Sequence, residues 1–237
     1  MDFEKVLSEL KSFYYSQLVM AFFEITAIIL AFIHVKKSKI GKLFIFYLLL
    51  DFFILLTGVY LHANPDIPVL FWSNFVNVTN ITVALVEFLV YYYFFSKVLY
   101  NQKIKSALYI ISISFFLVWL TYLFTHFSFI TPRKTYFSYL IGVVEFILLL
   151  PPCILFYFQL LKTNSSLPLL KRPSFWIVTG VFFFALISIP YYLLNNYIIK
   201  EYKEYYFILS VAFFYIPFTL NFIFLSKAFI CKKPLTI

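Results

Sequence analysis

Charge is scarce in this sequence. Only 12% of its 237 residues are Asp, Glu, Lys or Arg, and 63% are hydrophobic, with a mean hydropathy of +0.93. An ordinary soluble domain carries about 25% charged and roughly 45–50% apolar residues. A soluble fold cannot hide so much apolar surface, so lipid is the expected solvent for most of the chain. Cysteine is scarcer still. Cys153 falls in an apolar run and Cys231 near the C-terminus, which excludes a disulfide framework and a cysteine metal site and leaves redox chemistry without support. The patterns G-x-S-x-G, H-E-x-x-H and the phosphate loop are missing, so common hydrolase and nucleotide chemistry has no residues to carry it. No catalytic residue, metal site or cofactor is assigned, and an enzyme is not the expected class. Between Met1 and Lys11 the chain carries Asp2, Glu4 and Glu9 instead of a basic head and a small-residue cleavage site. These residues are therefore expected to remain in the mature protein.

What is present is a series of apolar runs separated by short segments bearing polar residues, lysine or proline. Seven spans are expected, at about 14–34, 43–62, 76–96, 106–127, 138–160, 175–194 and 205–226. Each has the roughly 20 residues needed to cross a hydrocarbon core about 30 Å thick. None shows strict alternation, and all exceed the roughly 9–11 residues of a barrel strand. The fold class is thus all-α: one polytopic domain over residues 1–237 with seven transmembrane helices.

Basic residues set the expected orientation. Lys36, Lys37, Lys39 and Lys42 follow the first span, Lys97, Lys103 and Lys105 the third, Lys162, Lys171 and Arg172 the fifth, and Lys227, Lys232 and Lys233 the seventh. The other side carries only Lys5, Lys11, Arg133, Lys134, Lys200 and Lys203, together with Asp2, Glu4, Glu9, Asp66, Glu201 and Glu204. Lysine and arginine stay on the cytoplasmic side, which places the N-terminus outside and the C-terminus inside. The net charge of +9 is then a topology signal with some attraction to anionic lipid, and nucleic acid is not an expected partner. No loop is long enough for a separate catalytic or signalling domain. The longest outer connection, 62–75, contains Asn64, Pro65, Asp66, Pro68, Phe71 and Trp72 and reads as an interfacial turn anchored by aromatics, or as a lid.

Four carboxylates lie within spans: Glu24, Asp51, Glu87 and Glu145. Each opposes insertion by about 2.5–3.5 kcal/mol at a span centre, so the set opposes it by roughly 10 kcal/mol. No lysine or arginine sits at that depth to pair with them. Helical spacing gives each a polar or small-residue face: Gln17, Ala21, Glu24, Ala27 and Ala31; Tyr47, Asp51, Gly58 and His62; Ser73, Asn77, Asn80, Ala84, Glu87 and Tyr91; Ser138, Gly142, Glu145, Pro152 and Gln159. Such faces turn toward other helices or a cavity. Two readings stand side by side. In one, the protonated carboxyl groups are interhelical hydrogen-bond donors; in the other, they bind a proton, a cation or a cationic small molecule. The candidate ligand or cation site is Glu24, Asp51, Glu87 and Glu145, supported by Asn80, Tyr91 and Asn221.

Other features carry less. His34, His62 and His126 lack metal-ligand spacing and suit span ends. Pro151, Pro152, Pro190 and Pro217 are expected to kink spans five, six and seven. The aromatic run Tyr91 to Phe95 reads as core and interface. Asn77 and Asn80 begin N-x-T patterns inside a span, where glycosylation is implausible. Span seven has no central lysine for a retinal Schiff base.

Val86-Glu87-Phe88 in span three is matched by Val144-Glu145-Phe146 in span five, each followed by a lysine-bearing edge, Lys97 ten residues after Glu87 and Lys162 seventeen after Glu145. A parallel repeat of spans one to three and five to seven around span four resembles the small seven-helix 3+1+3 sugar and vitamin carriers, although their Pro-Gln pair is absent. A second resemblance rests on Asn80, Glu87 and Tyr91 to Tyr93, on Arg172-Pro173-Ser174-Phe175-Trp176-Ile177, and on Asn221 with Cys231. These residues resemble small bacterial seven-helix proteins that look like the sensory membrane modules of histidine kinases. That resemblance implies a bacterial inner membrane and a sensory role exercised through a cytoplasmic or membrane signalling partner, since the chain has no kinase domain. The expected function is accordingly a sensory or ligand-binding module. The alternatives are a proton- or cation-coupled small-molecule transporter and a structural subunit of a membrane assembly.

Overall fold

Backbone N–H and C=O groups find no water partner in hydrocarbon, so an apolar chain must satisfy them within itself. The computed structural model, which describes residues 3–63, 69–126, 136–162, 168–201 and 205–231, is almost wholly helical over those residues, apart from short connections such as 35–38 and 99–101, and contains no strand among them. The helices are α1 (Phe3–His34), α2 (Lys39–Ala63), α3 (Val69–Val98), α4 (Gln102–His126), α5 (Tyr136–Lys162), α6 (Pro173–Glu201), α7 (Tyr206–Ser210) and α8 (Ile216–Ile230), with a π-helical turn, Val211–Tyr215, joining the last two. Among the described residues, seven stretches are long and apolar enough to span a bilayer: Tyr15–His34, Lys39–Tyr60, Val78–Val98, Gln102–Phe124, Leu140–Lys162, Pro173–Leu194 and Ile208–Ile230. An integral membrane protein follows from them.

The spans differ from the expected ones at their ends. The second begins at Lys39 instead of 43, because helix continues through lysines whose stems can lie along apolar surface while the ammonium groups reach water. The last is displaced to Ile208–Ile230 from the expected 205–226. α3 begins at Val69, inside the expected 62–75 connection. Residues 64–68 lie outside the described residues, and the lid reading with them. So do Asp2, Arg133, Lys134, Lys203, Glu204, Lys232 and Lys233 of the charge pattern.

Short side-chain caps end the helices at the lysine-rich side. Ser38 Oγ accepts the Gly41 N–H at 2.8 Å and starts α2. Asn101 Oδ1 accepts the Lys103 N–H at 2.9 Å and starts α4. Gln159 of α5 reaches the end of α3, donating to the Val98 carbonyl at 3.1 Å and accepting the Tyr100 N–H at 2.9 Å. One amide side chain thus serves two backbone groups that the helix end leaves free.

The helices pack as a ring: α1 on α2, α2 on α3, α3 on α5, α5 on α6, α6 on α8, and α8 back on α1. α4 packs chiefly on α3, outside the ring. Burial agrees with that placement, since 56% of the α3 span is buried and only 11% of the α4 span. Aromatic rings fill the interior, with Phe44, Tyr47, Phe88, Tyr91, Phe94, Phe95, Phe184, Phe222 and Phe229 all nearly inaccessible.

Proline shapes two of the packing surfaces. Pro217 has no N–H for the carbonyl four residues back, and the turn before it widens, with Ile216 N–H bonding to the Val211 carbonyl five back. Pro152 likewise leaves the Leu148 carbonyl without its helical donor. That carbonyl accepts the Tyr92 hydroxyl of α3 at 2.7 Å instead. The same bond fastens α3 to α5 beside Glu145.

Candidate functional site

Small residues let the faces that carry Glu24 and Glu145 pack inward. On α1, Ala27 and Ala31 are fully buried below Glu24, itself 0% exposed. On α5, Gly142 and Pro152 are buried on the face of Glu145. Gly142 leaves room for Tyr192, whose ring would meet an added Cβ at 3.0 Å. Glu87 of α3 and Glu145 are 3% and 1% exposed. Asp51 of α2 is half-buried, with Oδ2 shielded.

These four groups, from four different helices, form one electrostatic chain. Glu24 lies close enough to Asp51 to interact with it, Asp51 to Glu87, and Glu87 to Glu145. Both oxygens of Glu24, Oδ2 of Asp51, Oε1 of Glu87 and Oε1 of Glu145 have no hydrogen-bond partner among the described residues. The interior therefore holds negative or protonated oxygen with unused bonding capacity and no basic residue at its depth. No three His, Cys, Asp or Glu side chains among the described residues converge closely enough to hold a metal ion. The carboxylates are neighbours, but they are not a chelating cage.

Two tyrosines stand among them. Tyr47, four residues before Asp51 and on the same face of α2, is fully buried and interacts with Glu87, Asp51 and Glu24. Its hydroxyl approaches Glu87 without reaching full hydrogen-bond geometry. Tyr91, one turn from Glu87, interacts with both Glu87 and Glu145. The two rings meet edge to face, with centroids 6.2 Å apart. Asn221 of α8 donates to the Tyr91 hydroxyl through Nδ2 at 3.2 Å, while its Oδ1 is buried and has no hydrogen-bond partner among the described residues. Gly180 of α6 makes that position available, because a Cβ there would lie 2.7 Å from Asn221 Oδ1.

Comparison with family models, with curated proteins and with solved structures found no match.

Six of the seven residues expected to make the site thus share the interior: Glu24, Asp51, Glu87, Glu145, Tyr91 and Asn221. Asn80 does not join them. It is exposed on α3, although seven-residue spacing puts it nearly on the Glu87 face. The two are about 10 Å apart along the axis, and neighbouring helices cover α3 at Glu87 and leave it open at Asn80. Tyr47 is the residue that the sequence reading left out of the site. Its i, i+4 relation to Asp51 was the available signal, and a tyrosine in an aromatic-rich helix is otherwise unremarkable as core.

Proposed function

We propose that this chain is a sensory or ligand-binding membrane module, N-terminus outside and C-terminus in the cytoplasm, whose interior carboxylates bind a proton, a cation or a cationic group. One observation carries the reading: carboxylates from α1, α2, α3 and α5 interact in sequence across the ring with buried oxygens left unpartnered. Adding positive charge to such a chain relieves repulsion between its members. The helices that carry them then favour a different packing, and a ligand that binds two packings unequally shifts their populations. The lysine-rich ends of those helices are where a cytoplasmic or membrane signalling partner would read the change. Location in a bacterial inner membrane belongs to the same proposal.

A second reading, the coupled carrier, is favoured by the packing order of the ring. Helices α1 to α3 and α5, α6 and α8 each pack consecutively, and the third member of each half meets the first member of the other. α4 lies outside, as a connector between two equivalent halves would. Proteoliposomes decide between the two. The sensor predicts no proton or monovalent-cation flux in wild-type vesicles and a response in the partner-bound protein that Glu87→Gln abolishes. Flux in wild type that Glu87→Gln removes would replace the sensor by the carrier, and a partner response unchanged in Glu87→Gln would sink the carboxylate mechanism.

A further inference from the structure

The helix faces that carry Glu24, Asp51 and Glu87 differ above and below those residues. Toward the lysine-rich connections they are shut: Ala27 and Ala31 of α1, Phe44 and Tyr47 of α2, and Tyr91 and Phe94 of α3 are all 0% exposed. The ring of Phe44 meets those of Tyr91, Phe94 and Phe229 at centroid separations of 5.7, 6.0 and 6.0 Å, an aromatic floor shared by α2, α3 and α8. Toward the opposite end the same faces open. Gln17 and Ala21 of α1, Leu55 and Gly58 of α2 and Ala84 of α3 are half-buried, and Asn80 of α3 is exposed. Each stands three, four or seven positions from Glu24, Asp51 or Glu87 and so shares its inward face. An added Cβ at Gly58 would meet no described atom within 4 Å. On α5 the corresponding position is closed, because Gly142 is buried against Tyr192. The opening therefore belongs to α1, α2 and α3, which pack in sequence.

At its bottom, Asp51 is the half-buried carboxylate, and its neighbours Glu24 and Glu87 are 0% and 3% exposed. Tyr47 aims into the same place. Its hydroxyl is wholly buried with no hydrogen-bond partner among the described residues, approaches Glu87, and interacts with Asp51 and Glu24. The other titratable groups facing the set are Tyr91 of α3 and, through Tyr91, Cys153 of α5. A metal ion needs several oxygens at once, and no three acidic, His or Cys side chains among the described residues converge that closely. An organic cation needs room, and beneath Asp51 the space is filled by buried rings. A proton needs one free oxygen, and the O–H it forms can donate to a neighbouring carboxylate or to Tyr47.

We propose that the α1–α2–α3 opening is a water-accessible mouth that loads the carboxylates with protons solely from the side opposite the lysine-rich connections, with Asp51 the first acceptor and the Phe44 floor the barrier behind it. Hydronium gives its proton to the Asp51 carboxylate and leaves as water. The proton then passes to Glu24 on one side and to Glu87 and Glu145 on the other. The proposal rests on the carboxylate reading above and names its ligand and its side of entry. A module loaded in this way reads the pH of one compartment.

The test uses the full chain in liposomes with Cys231→Ser, Cys153 being buried, and trimethylammonium-ethyl methanethiosulfonate, an impermeant reagent that attacks thiolate. Ala21→Cys and Ala84→Cys should react about tenfold or more faster than Ala27→Cys or the outward-facing Ile113→Cys, because apolar surroundings raise a thiol's pKa and deplete its thiolate. They should react from the face opposite the one at which Tyr100→Cys reacts. Modified Ala84→Cys should then exchange its carboxyl protons for deuterium several-fold more slowly than the unmodified protein, read from the carboxyl infrared bands in heavy water, and Asp51→Asn should slow exchange at Glu87 and Glu145. Ala84→Cys reacting no faster than Ile113→Cys would overturn the proposal by showing a mouth filled with lipid. Reaction from the Tyr100 face would overturn the side of entry, exchange unchanged by modification would overturn the route, and exchange unchanged in Asp51→Asn would overturn the first acceptor. Bands displaced by sodium or potassium at fixed pH would overturn the proton as occupant. Carboxylates that titrate independently while labelling and exchange behave as expected would remove the coupling in the carboxylate reading and leave the one-sided mouth in place.

Discussion

Individual side chains in this bundle answer for specific backbone or packing problems. Tyr92 is one. Its hydroxyl occupies the Leu148 carbonyl that Pro152 leaves without a donor, in surroundings where water cannot take over. Tyr92→Phe should therefore lower stability by about 1–2 kcal/mol, the cost of an unsatisfied buried carbonyl moderated by the modest worth of hydrogen bonds in membrane helices. Equilibrium unfolding in mixed micelles reads this directly, and no loss would mean the carbonyl finds another donor. Gly180 is a second case. Gly180→Ala would press a methyl group against Asn221 Oδ1 at 2.7 Å and Phe224 Cβ at 3.0 Å, at an overpacking cost of about 1–3 kcal/mol, and would displace Asn221 from Tyr91. Gly58→Ala is the matched control, since an added Cβ there meets nothing within 4 Å and Ala is the better helix former by up to about 1 kcal/mol. Stabilities that fell equally in both variants would contradict the close approach of α6 and α8.

At the scale of elements, α3 and α4 are opposites. α3 is the hub, meeting α2, α4 and α5, whereas α4 leans on α3 and turns most of its surface outward. Phe115 is the inward anchor of α4, with its ring centroid 4.2 Å from that of Phe88, and Ile113 points away with 61% of its surface exposed. Phe115→Ala should cost about 1–3 kcal/mol, less than the roughly 3–5 of a soluble core because lipid replaces part of the lost contact. Ile113→Ala should stay within about 0.5 kcal/mol, as surface changes usually do. The reverse order in an unfolding assay would mean that α4 docks by its other face. The sequence announced the number and type of these elements because length and hydropathy are local properties of a run. It announced the inward faces of α1, α3 and α5 through Glu24, Glu87 and Glu145 at helical spacing from small residues. The ring order was not legible, since a polar or small-residue face says only that a span turns inward and nothing in its pattern names a neighbour. The π-turn was half legible: Pro217 signals a disturbance, and only the bond from the Ile216 N–H to the Val211 carbonyl shows what form it takes. Asn80 shows the converse, a residue on the right face at a depth where no helix covers it.

For the whole molecule, the ring converts four separately costly insertions into one linked interior. Glu24, Asp51, Glu87 and Glu145 come from residues far apart in sequence, and neither the composition of their spans nor their spacing along the chain shows that they meet. Their mutual interaction across α1, α2, α3 and α5 is the central claim, and it predicts that they exchange protons as a coupled set and not as four independent acids. The most direct measurement is a pH titration of the carboxyl infrared bands of the reconstituted protein, run for wild type, Glu24→Gln, Asp51→Asn, Glu87→Gln and Glu145→Gln. Coupling predicts that removal of Glu87, which interacts with a neighbour on either side, displaces the titrations of Asp51 and Glu145 as well as deleting its own band. Remaining bands that titrate as in wild type would contradict a shared interior site.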